Sequence, residues 1–171
     1  MAEEALNPTS AAVLGLLHEG PMTGGQLMAA ASRRLGPFWS MTRSQVYREL
    51  PALADLGYVK LGRPGPRASQ PYAITPAGKR AFLRWLAAPS GREQFRNQMA
   101  LRMAFGTMHS AGQLADAYDE AIQHHTDLLA EAREAVKAAK KEGDTFGAAA
   151  LEFAVGYHRS VLTWLRGAPR K

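Results

Sequence analysis

The sequence predicts a mainly α-helical fold with one β-hairpin, and three observations lead to this fold class. Residues 1–88 read as three short helices, two strands and a fourth helix, which is the order α-α-α-β-β-α. Residues 89–171 contain three further helical segments, and the last two carry an apolar residue at every third or fourth position. The chain of 171 residues is 46% hydrophobic and 21% charged, as in folded globular proteins. We therefore predict two domains, 1–88 and 89–171, joined by a linker at PSGR.

The first two helices are short, and a capping residue precedes each of them. SAAVLGLLHEG has a broad apolar side, with Thr9 or Ser10 as its cap and Gly20 followed by proline at its end. GGQLMAAASRRL follows Thr23, which is the cap of the second helix, and ends near Gly36. The glycines in the first turn of this second helix permit close approach of another backbone.

The third helix is predicted within TRSQVYRELPALADLGY, residues 42–58. Thr42 is its N-cap, and Gly57 supplies the left-handed residue that ends it. Pro51 points outward and is expected to bend the helix, because its ring removes a backbone hydrogen bond. The bend follows the first turns, so the surface from Thr42 to Arg48 is still presented to a partner. The stripe that must face the core is Val46, Leu50 and Leu53.

A hairpin and a fourth helix come next. YVKL and PYAI have the β-branched and aromatic content of strands, and they flank the basic, turn-rich loop GRPGPRASQ. Pro71 can stand only at the start or on the edge of the second strand, because it has no N–H to donate. Thr75 and Pro76 then fit the N-cap and the first position of a helix, AGKRAFLRWLAA.

The second half is dominated by two long helices. Ser110 and Gln113 form a capping box for a helix that runs to Gly143. Such a helix of about 30 residues is roughly 45 Å long, so one short partner cannot cover its apolar stripe. We expect a homodimer with two-fold symmetry, and an intrachain three-helix bundle is the alternative. The apolar stripe of the last helix is Phe146, Ala150, Phe153, Tyr157, Val161 and Trp164. The residues assigned to dimerisation are Leu114, Tyr118, Ile122, His125, Leu129, Val136, Phe153, Tyr157 and Trp164.

The positive charge is concentrated in one part of the chain. The formal net charge is +6, but residues 33–84 alone carry ten basic and two acidic side chains, a net of +8. A basic block of this kind is expected of a protein that binds a polyanion, although an ordinary solvated basic surface has the same composition.

The three-helix unit is a helix-turn-helix candidate, in which the third helix enters the major groove of DNA. Arginine can donate two hydrogen bonds to guanine or phosphate, glutamine suits adenine, and threonine or serine can bond either. Tyr47 suits a backbone phosphate, and burial of its ring against Trp39 is the alternative. The residues predicted to contact DNA are Thr42, Arg43, Ser44, Gln45, Tyr47 and Arg48 on the helix, with Arg63 and Arg67 on the hairpin loop as a wing.

Three stretches of the first half resemble the winged-helix domain of PadR-family transcriptional regulators. They are VLGLLHEGPMTGGQL, FWSMTRSQVYRELPALADLGYV and YAITPAGKRAFLRWL, within residues 6–86. The second half, including RMAFG, resembles the helical dimerisation region of the longer members. The resemblance implies a homodimer that binds a partly palindromic operator on double-stranded DNA and represses a nearby gene. In some members a small aromatic ligand releases the DNA.

An aromatic effector has candidate contacts in this sequence. They lie near the predicted dimer interface, and the alternative is that they are core residues. The set is Trp39, Trp85, Trp164, Met99, Met103 and Met108.

Other functions have less support in the sequence. No apolar run approaches the roughly 20 residues that span a bilayer, and MAEEALNP is acidic where a signal peptide is basic, so we expect a cytoplasmic protein without a membrane partner. The chain has no cysteine, and the adjacent His124 and His125 point apart on a helix, so we expect no metal site, no cofactor and no enzymatic activity. The alternative to DNA binding is a winged-helix module that binds another protein.

Overall fold

The chain divides into two units in the computed structural model, Met1–Gly91 and Arg92–Lys171. The structure describes residues 6–64, 70–91 and 96–169. The predicted mainly helical class with one hairpin is confirmed. The first unit contains α1 (Pro8–Leu16), α2 (Gly24–Arg34), α3 (Arg43–Asp55), β1 (Val59–Leu61), β2 (Tyr72–Ile74) and α4 (Pro76–Ala87). The second contains α5 (Gln98–Ala104), α6 (Ala111–Lys141) and α7 (Thr145–Arg166).

The start of α1 differs from the prediction. Its N-cap is Asn7, whose Oδ1 accepts a hydrogen bond from the backbone N–H of Ser10 at 2.8 Å. Thr9 and Ser10 therefore lie inside the helix, and the predicted cap is wrong. The reason is Pro8, because its fixed φ suits the first helical position and starts the helix two residues early.

The predicted caps of α2, α3 and α6 are confirmed. At α3, Thr42 Oγ1 accepts from the Gln45 N–H at 3.2 Å, and Gln45 Oε1 accepts from the Thr42 N–H at 2.8 Å. This reciprocal pair is a capping box, and it satisfies two backbone donors that a helix start leaves free. Thr23 and Ser110 head the equivalent pairs of α2 and α6.

The core of the first unit is built around α3. The predicted stripe is confirmed, since none of its three side chains is more than 1% exposed. Full burial of such a side chain contributes about 1.5–3 kcal/mol each. Pro51 is exposed as predicted, and α3 continues through it to Asp55. The core side chains are Val13, Leu14, Leu16, Leu17, Leu27, Ala30, Ala31, Val46, Leu50, Leu53, Tyr58, Val59 and Ala81.

The hairpin is shorter than predicted and has a third participant. β1 and β2 are antiparallel, with Val59 opposite Ile74 and Leu61 opposite Tyr72. Met22, in the connection before α2, exchanges two backbone hydrogen bonds with Tyr72, at 2.8 and 3.0 Å. This bridge was not predicted, and it ties the start of α2 to the base of the hairpin.

In the second unit, α6 and α7 form a helical hairpin. Gly143, with φ +76°, lies in the turn between them. α6 ends at Lys141, two residues before the predicted end. The residues buried on its stripe are Tyr118, Leu129, Ala132 and Val136. Among the helices of the described ranges, none is both long and apolar enough to cross a membrane.

The predicted stripe of the last helix is confirmed only in its C-terminal half for packing within the chain, where Val161 is buried and Tyr157 and Trp164 are partly buried. Phe146 and Phe153 are 90% and 63% exposed. The other buried residues of the helix lie one or two positions away from the predicted stripe: Ala148, Leu151, Ala154, His158, Leu162 and Leu165. α7 is apolar on two sides, so its periodicity alone cannot tell which side meets α6.

Candidate nucleic-acid interface

The N-cap and the N-terminal half of α3 carry all six of the residues around this helix that are predicted to contact DNA. Five of them are exposed, and Gln45 is partly buried. The opposite side of the same turns carries Val46 and Leu50, which are completely buried. The helix is therefore fixed to the core by one side and presents the other. The exposed residues are Thr42, Arg43, Ser44, Tyr47 and Arg48.

Three of these side chains, Thr42, Ser44 and Gln45, lie within hydrogen-bonding distance of one another. Gln45 Oε1 accepts hydrogen bonds from both the N–H and the Oγ1 of Thr42, at 2.8 and 3.0 Å. Thr42 Oγ1 also lies 3.0 Å from Ser44 Oγ. A contact between Gln45 and an adenine edge would compete with the capping box, so the arginines and Tyr47 are the side chains best placed to reach a ligand.

Tyr47 lies against the first turn of α2. The sequence left open whether its ring packs on Trp39 or contacts phosphate, and the residue is 53% exposed. A Cβ atom built on Gly24 would be 2.8 Å from Tyr47 Cζ and 2.9 Å from its hydroxyl. Gly24 is buried, and only glycine leaves room for the ring at this distance. The glycine therefore positions a phenol that is still half in solvent.

Arg48 is held by a buried carboxylate that the sequence analysis did not single out. Its side chain is 72% exposed, and its Nε and Nη2 donate to Glu49 Oε1 at 3.3 and 3.2 Å. The other oxygen, Oε2, accepts from Ser10 Oγ at 2.6 Å and from Asn7 Nδ2 at 2.9 Å. The bonds from Ser10 and Asn7, followed by Arg48, hold the pKa of Glu49 below its ordinary value although burial opposes this. Glu49 is therefore a buried anion at the base of the exposed face.

The predicted wing is only partly within the described residues. Arg63 is exposed just after β1, whereas Arg67 lies outside the described ranges. Arg34, at the end of α2, forms an ion pair with Glu19.

The α6 residues that were assigned to dimerisation are buried or partly buried within the protomer. Tyr118, Leu129 and Val136 are buried within the protomer, so α7 supplies the cover that the sequence analysis assigned to a second copy. Phe153 is exposed. The partly buried members are Leu114, Ile122, His125, Tyr157 and Trp164.

A pair of histidines joins α6 to α7. His125 Nδ1 lies 2.9 Å from His158 Nδ1, so one ring donates a hydrogen bond to the other. Burial lowers the pKa of both, and the charges of neighbouring histidines lower it further. In the described part of the chain, no three His, Cys, Asp or Glu side chains are grouped to hold a metal ion.

An open groove of about 270 Å³ lies in the second unit, on the side of α7 that faces α5. Trp164 lines it, and Met99 and Met103 pack in the adjoining apolar cluster. Met108 is 82% exposed. The groove is lined by Asn97, Ala100, Tyr157, Ser160, Val161 and Trp164.

A family of known proteins matches most of the first unit. Residues 13–84, from the core of α1 to the last turns of α4, match the model of the transcriptional regulator PadR-like family. Residues 13–84 form a PadR-like transcriptional regulator domain. The matched stretch includes all of α3 and the hairpin.

The PadR-like domain and the helices after it also match individual proteins. The chain is 27% identical over 124 residues to the negative transcriptional regulator PadR of Bacillus subtilis. This alignment covers 70% of this chain and 68% of that protein. The crystal structure of Bacillus subtilis PadR in complex with operator DNA superposes with a TM-score of 0.80 and 22% identity, covering 95% of this chain and 96% of that one. The same protein in complex with p-coumaric acid gives a TM-score of 0.70 and 23% identity, with 95% of each chain covered. The fold is therefore shared along nearly the whole chain.

Glu49 is the residue of the PadR-like domain that sequence reasoning missed. The signal was present, because Glu49 comes three residues after Val46 and four before Leu53, on the core side of α3. A charged residue at such a position must be paired when it is buried. The two partners that satisfy Oε2 come from α1, about 40 residues earlier, and no local pattern names them.

Proposed function

We propose that the protein is a DNA-binding transcriptional regulator that acts as a homodimer and represses transcription from a partly palindromic operator. The observation that carries this proposal is the exposed face of α3 from Thr42 to Arg48, fixed to the core from behind and lying in a segment of net charge +8. A helix presented in this way fits the major groove, where its first turns meet base edges and phosphates. The similarity to Bacillus subtilis PadR, a structure of which contains operator DNA, supports the same function.

The direct test is retardation of DNA fragments from the protein's own upstream region, in competition with a scrambled fragment of equal length. We expect selective binding whose affinity falls with salt by about 0.9 log units per log of salt for each phosphate contacted. Arg48→Ala should lower the affinity for the selected fragment about ten-fold or more, since a bidentate base contact discriminates by about 1–3 kcal/mol. Arg133→Ala, which removes an exposed arginine from α6, is the matched control. Binding that neither prefers a fragment nor depends on salt favours a module that binds protein.

The homodimer is supported by apolar side chains that the protomer leaves uncovered. Phe146 and Phe153 are seven residues apart, on one side of α7, and they are 90% and 63% exposed. Large apolar side chains that are exposed beside one another are typical of protein–protein contacts. In sedimentation equilibrium we expect a dimer for the wild type and a monomer of unchanged helix content for Phe153→Glu. Arg159→Glu, at an exposed polar position of the same helix, should remain dimeric. A monomeric wild type contradicts the proposal.

The effector is a small aromatic molecule, and its site is the groove beside Trp164. The groove is slightly smaller than pockets for drug-sized ligands, which are about 300–1,000 Å³, so it suits a single ring with a short substituent. That a structure of Bacillus subtilis PadR contains p-coumaric acid supports this class of ligand. With Trp39 and Trp85 replaced by Phe, Trp164 is the remaining tryptophan, and p-coumaric acid should quench its fluorescence and weaken DNA binding. Unchanged fluorescence and DNA affinity at millimolar p-coumaric acid would exclude this ligand from the groove.

A further inference from the structure

The carboxylate of Glu49 is anchored independently of Arg48. Its side chain is only 8% exposed, and Oε2 accepts hydrogen bonds from Ser10 Oγ and Asn7 Nδ2 at 2.6 and 2.9 Å. Asn7 is itself fixed, because its Oδ1 caps α1. An ion pair between two exposed side chains contributes little, because both can move apart into water. Here one partner cannot leave, so the pair has a defined geometry.

The way in which Arg48 meets this anchor decides what remains for a ligand. A guanidinium group has two edges that each carry a parallel pair of N–H donors, one formed by Nε and Nη2 and the other by the two Nη atoms. Glu49 Oε1 accepts from Nε and Nη2. The edge formed by the two Nη atoms is turned away from the carboxylate. This is the edge that can donate two bonds to O6 and N7 of guanine or to a phosphate.

We propose that Glu49 is a positioning residue that determines specificity, because it fixes the plane of the Arg48 guanidinium and leaves its outer edge free for guanine. This inference rests on the proposed DNA-binding function. Ordering Arg48 before binding reduces the entropy lost when the guanine contact forms. The carboxylate also places a negative charge beside the interface, which opposes contacts that depend only on phosphate. Glu49 therefore favours the right sequence over the wrong one, at the expense of affinity for DNA in general.

The test measures selectivity, defined as the dissociation constant for a scrambled fragment divided by that for an upstream fragment retained by the wild type. Fluorescence anisotropy gives both constants. Glu49→Gln keeps a carbonyl oxygen for Ser10 and Asn7 but removes the charge that holds Arg48. We expect it to bind scrambled DNA more tightly and to lose selectivity about five-fold or more. Glu19→Gln removes one charge and one ion pair of the same unit and should keep the selectivity of the wild type.

Two further variants separate positioning from folding. Arg48→Lys leaves Glu49 and its bonds to α1 in place but cannot present a planar pair of donors, so it should lose selectivity to a similar extent. In an Arg48→Ala background, adding Glu49→Gln should not lower selectivity further, because Glu49 acts through Arg48. Thermal unfolding of every variant reports whether the fold is retained, and Arg48→Lys decides the matter if Glu49→Gln does not fold.

The outcomes distinguish this inference from the proposed function. If the wild type prefers no fragment, the proposed function fails. If the wild type is selective but Glu49→Gln matches Glu19→Gln, the inference alone is overturned. The inference is also overturned if Glu49→Gln lowers selectivity equally with and without Arg48, or if Arg48→Lys keeps full selectivity.

Discussion

The contact between Gly24 and Tyr47 gives a sharp test of the interface. A Cβ on Gly24 would lie 2.8 Å from Tyr47 Cζ, whereas two carbon atoms in contact are normally about 3.5–4.0 Å apart. Gly24→Ala must therefore move the ring by roughly 1 Å. The ring is half exposed and can move without disturbing the core, and alanine favours the helix by at most about 1 kcal/mol. We expect little change in the free energy of unfolding.

DNA binding should respond more strongly than stability. A hydrogen bond from the Tyr47 hydroxyl to a phosphate is worth about 1.5–3 kcal/mol, so its loss lowers affinity about ten- to hundred-fold. Gly25→Ala is the matched control, because Gly25 is exposed, lies in the same turn, and has no atom within 4 Å of an added Cβ. Anisotropy titrations and thermal melts of both variants and of Tyr47→Phe provide the comparison. Equal affinities for Gly24→Ala and Gly25→Ala would refute the idea that the glycine positions a DNA contact.

Two further predictions concern stability. A Cβ on Gly78 would overlap the carbonyl oxygen of the residue before β1, so Gly78→Ala should lower the free energy of unfolding by about 1–3 kcal/mol in urea titrations. The control Gly156→Ala has open space around the added Cβ and should raise the free energy of unfolding by up to about 1 kcal/mol. Equal effects would contradict this. Folding lowers the pKa values of His125 and His158. The stabilisation of the folded state by the two neutral rings is therefore complete above about pH 6.5, and it is lost as pH falls through the lowered pKa values. The melting temperature of the second unit should therefore fall when the wild-type protein is acidified. The fall should be smaller for His158→Asn, and the control His109→Asn, at an exposed position, should show the same fall as the wild type.

Local patterns predicted most of the helix starts in this protein. Thr23, Thr42 and Ser110 each cap a helix through a residue three positions later, a distance that the sequence itself supplies. The core stripe of α3 follows from the helical repeat in the same way. The cap of α1 was missed because a proline two residues before the predicted start fixes the first turn earlier.

The local sequence pattern did not indicate which of the two apolar faces of α7 packs against α6. α7 is apolar on both the Leu151 side and the Phe153 side, and the spacing of its apolar residues is compatible with burial of either side. The partner, α6, meets only one of them, and the other is exposed in the protomer. The long stripe of α6 was assigned to a second copy for the same reason, since periodicity describes one helix and not its neighbour.

The sequence by itself determined the order of the elements, the surface that α3 presents and the basic charge around it, because these depend on residues at most a few positions apart. Only the tertiary structure decided how that surface is supported. Gly24 lies under Tyr47, and Ser10 and Asn7 bind Glu49, which in turn holds Arg48. Apart from the adjacent Arg48 and Glu49, these partners are 23 to 42 residues apart, and packing of the helices in three dimensions brings them within hydrogen-bonding or van der Waals distance.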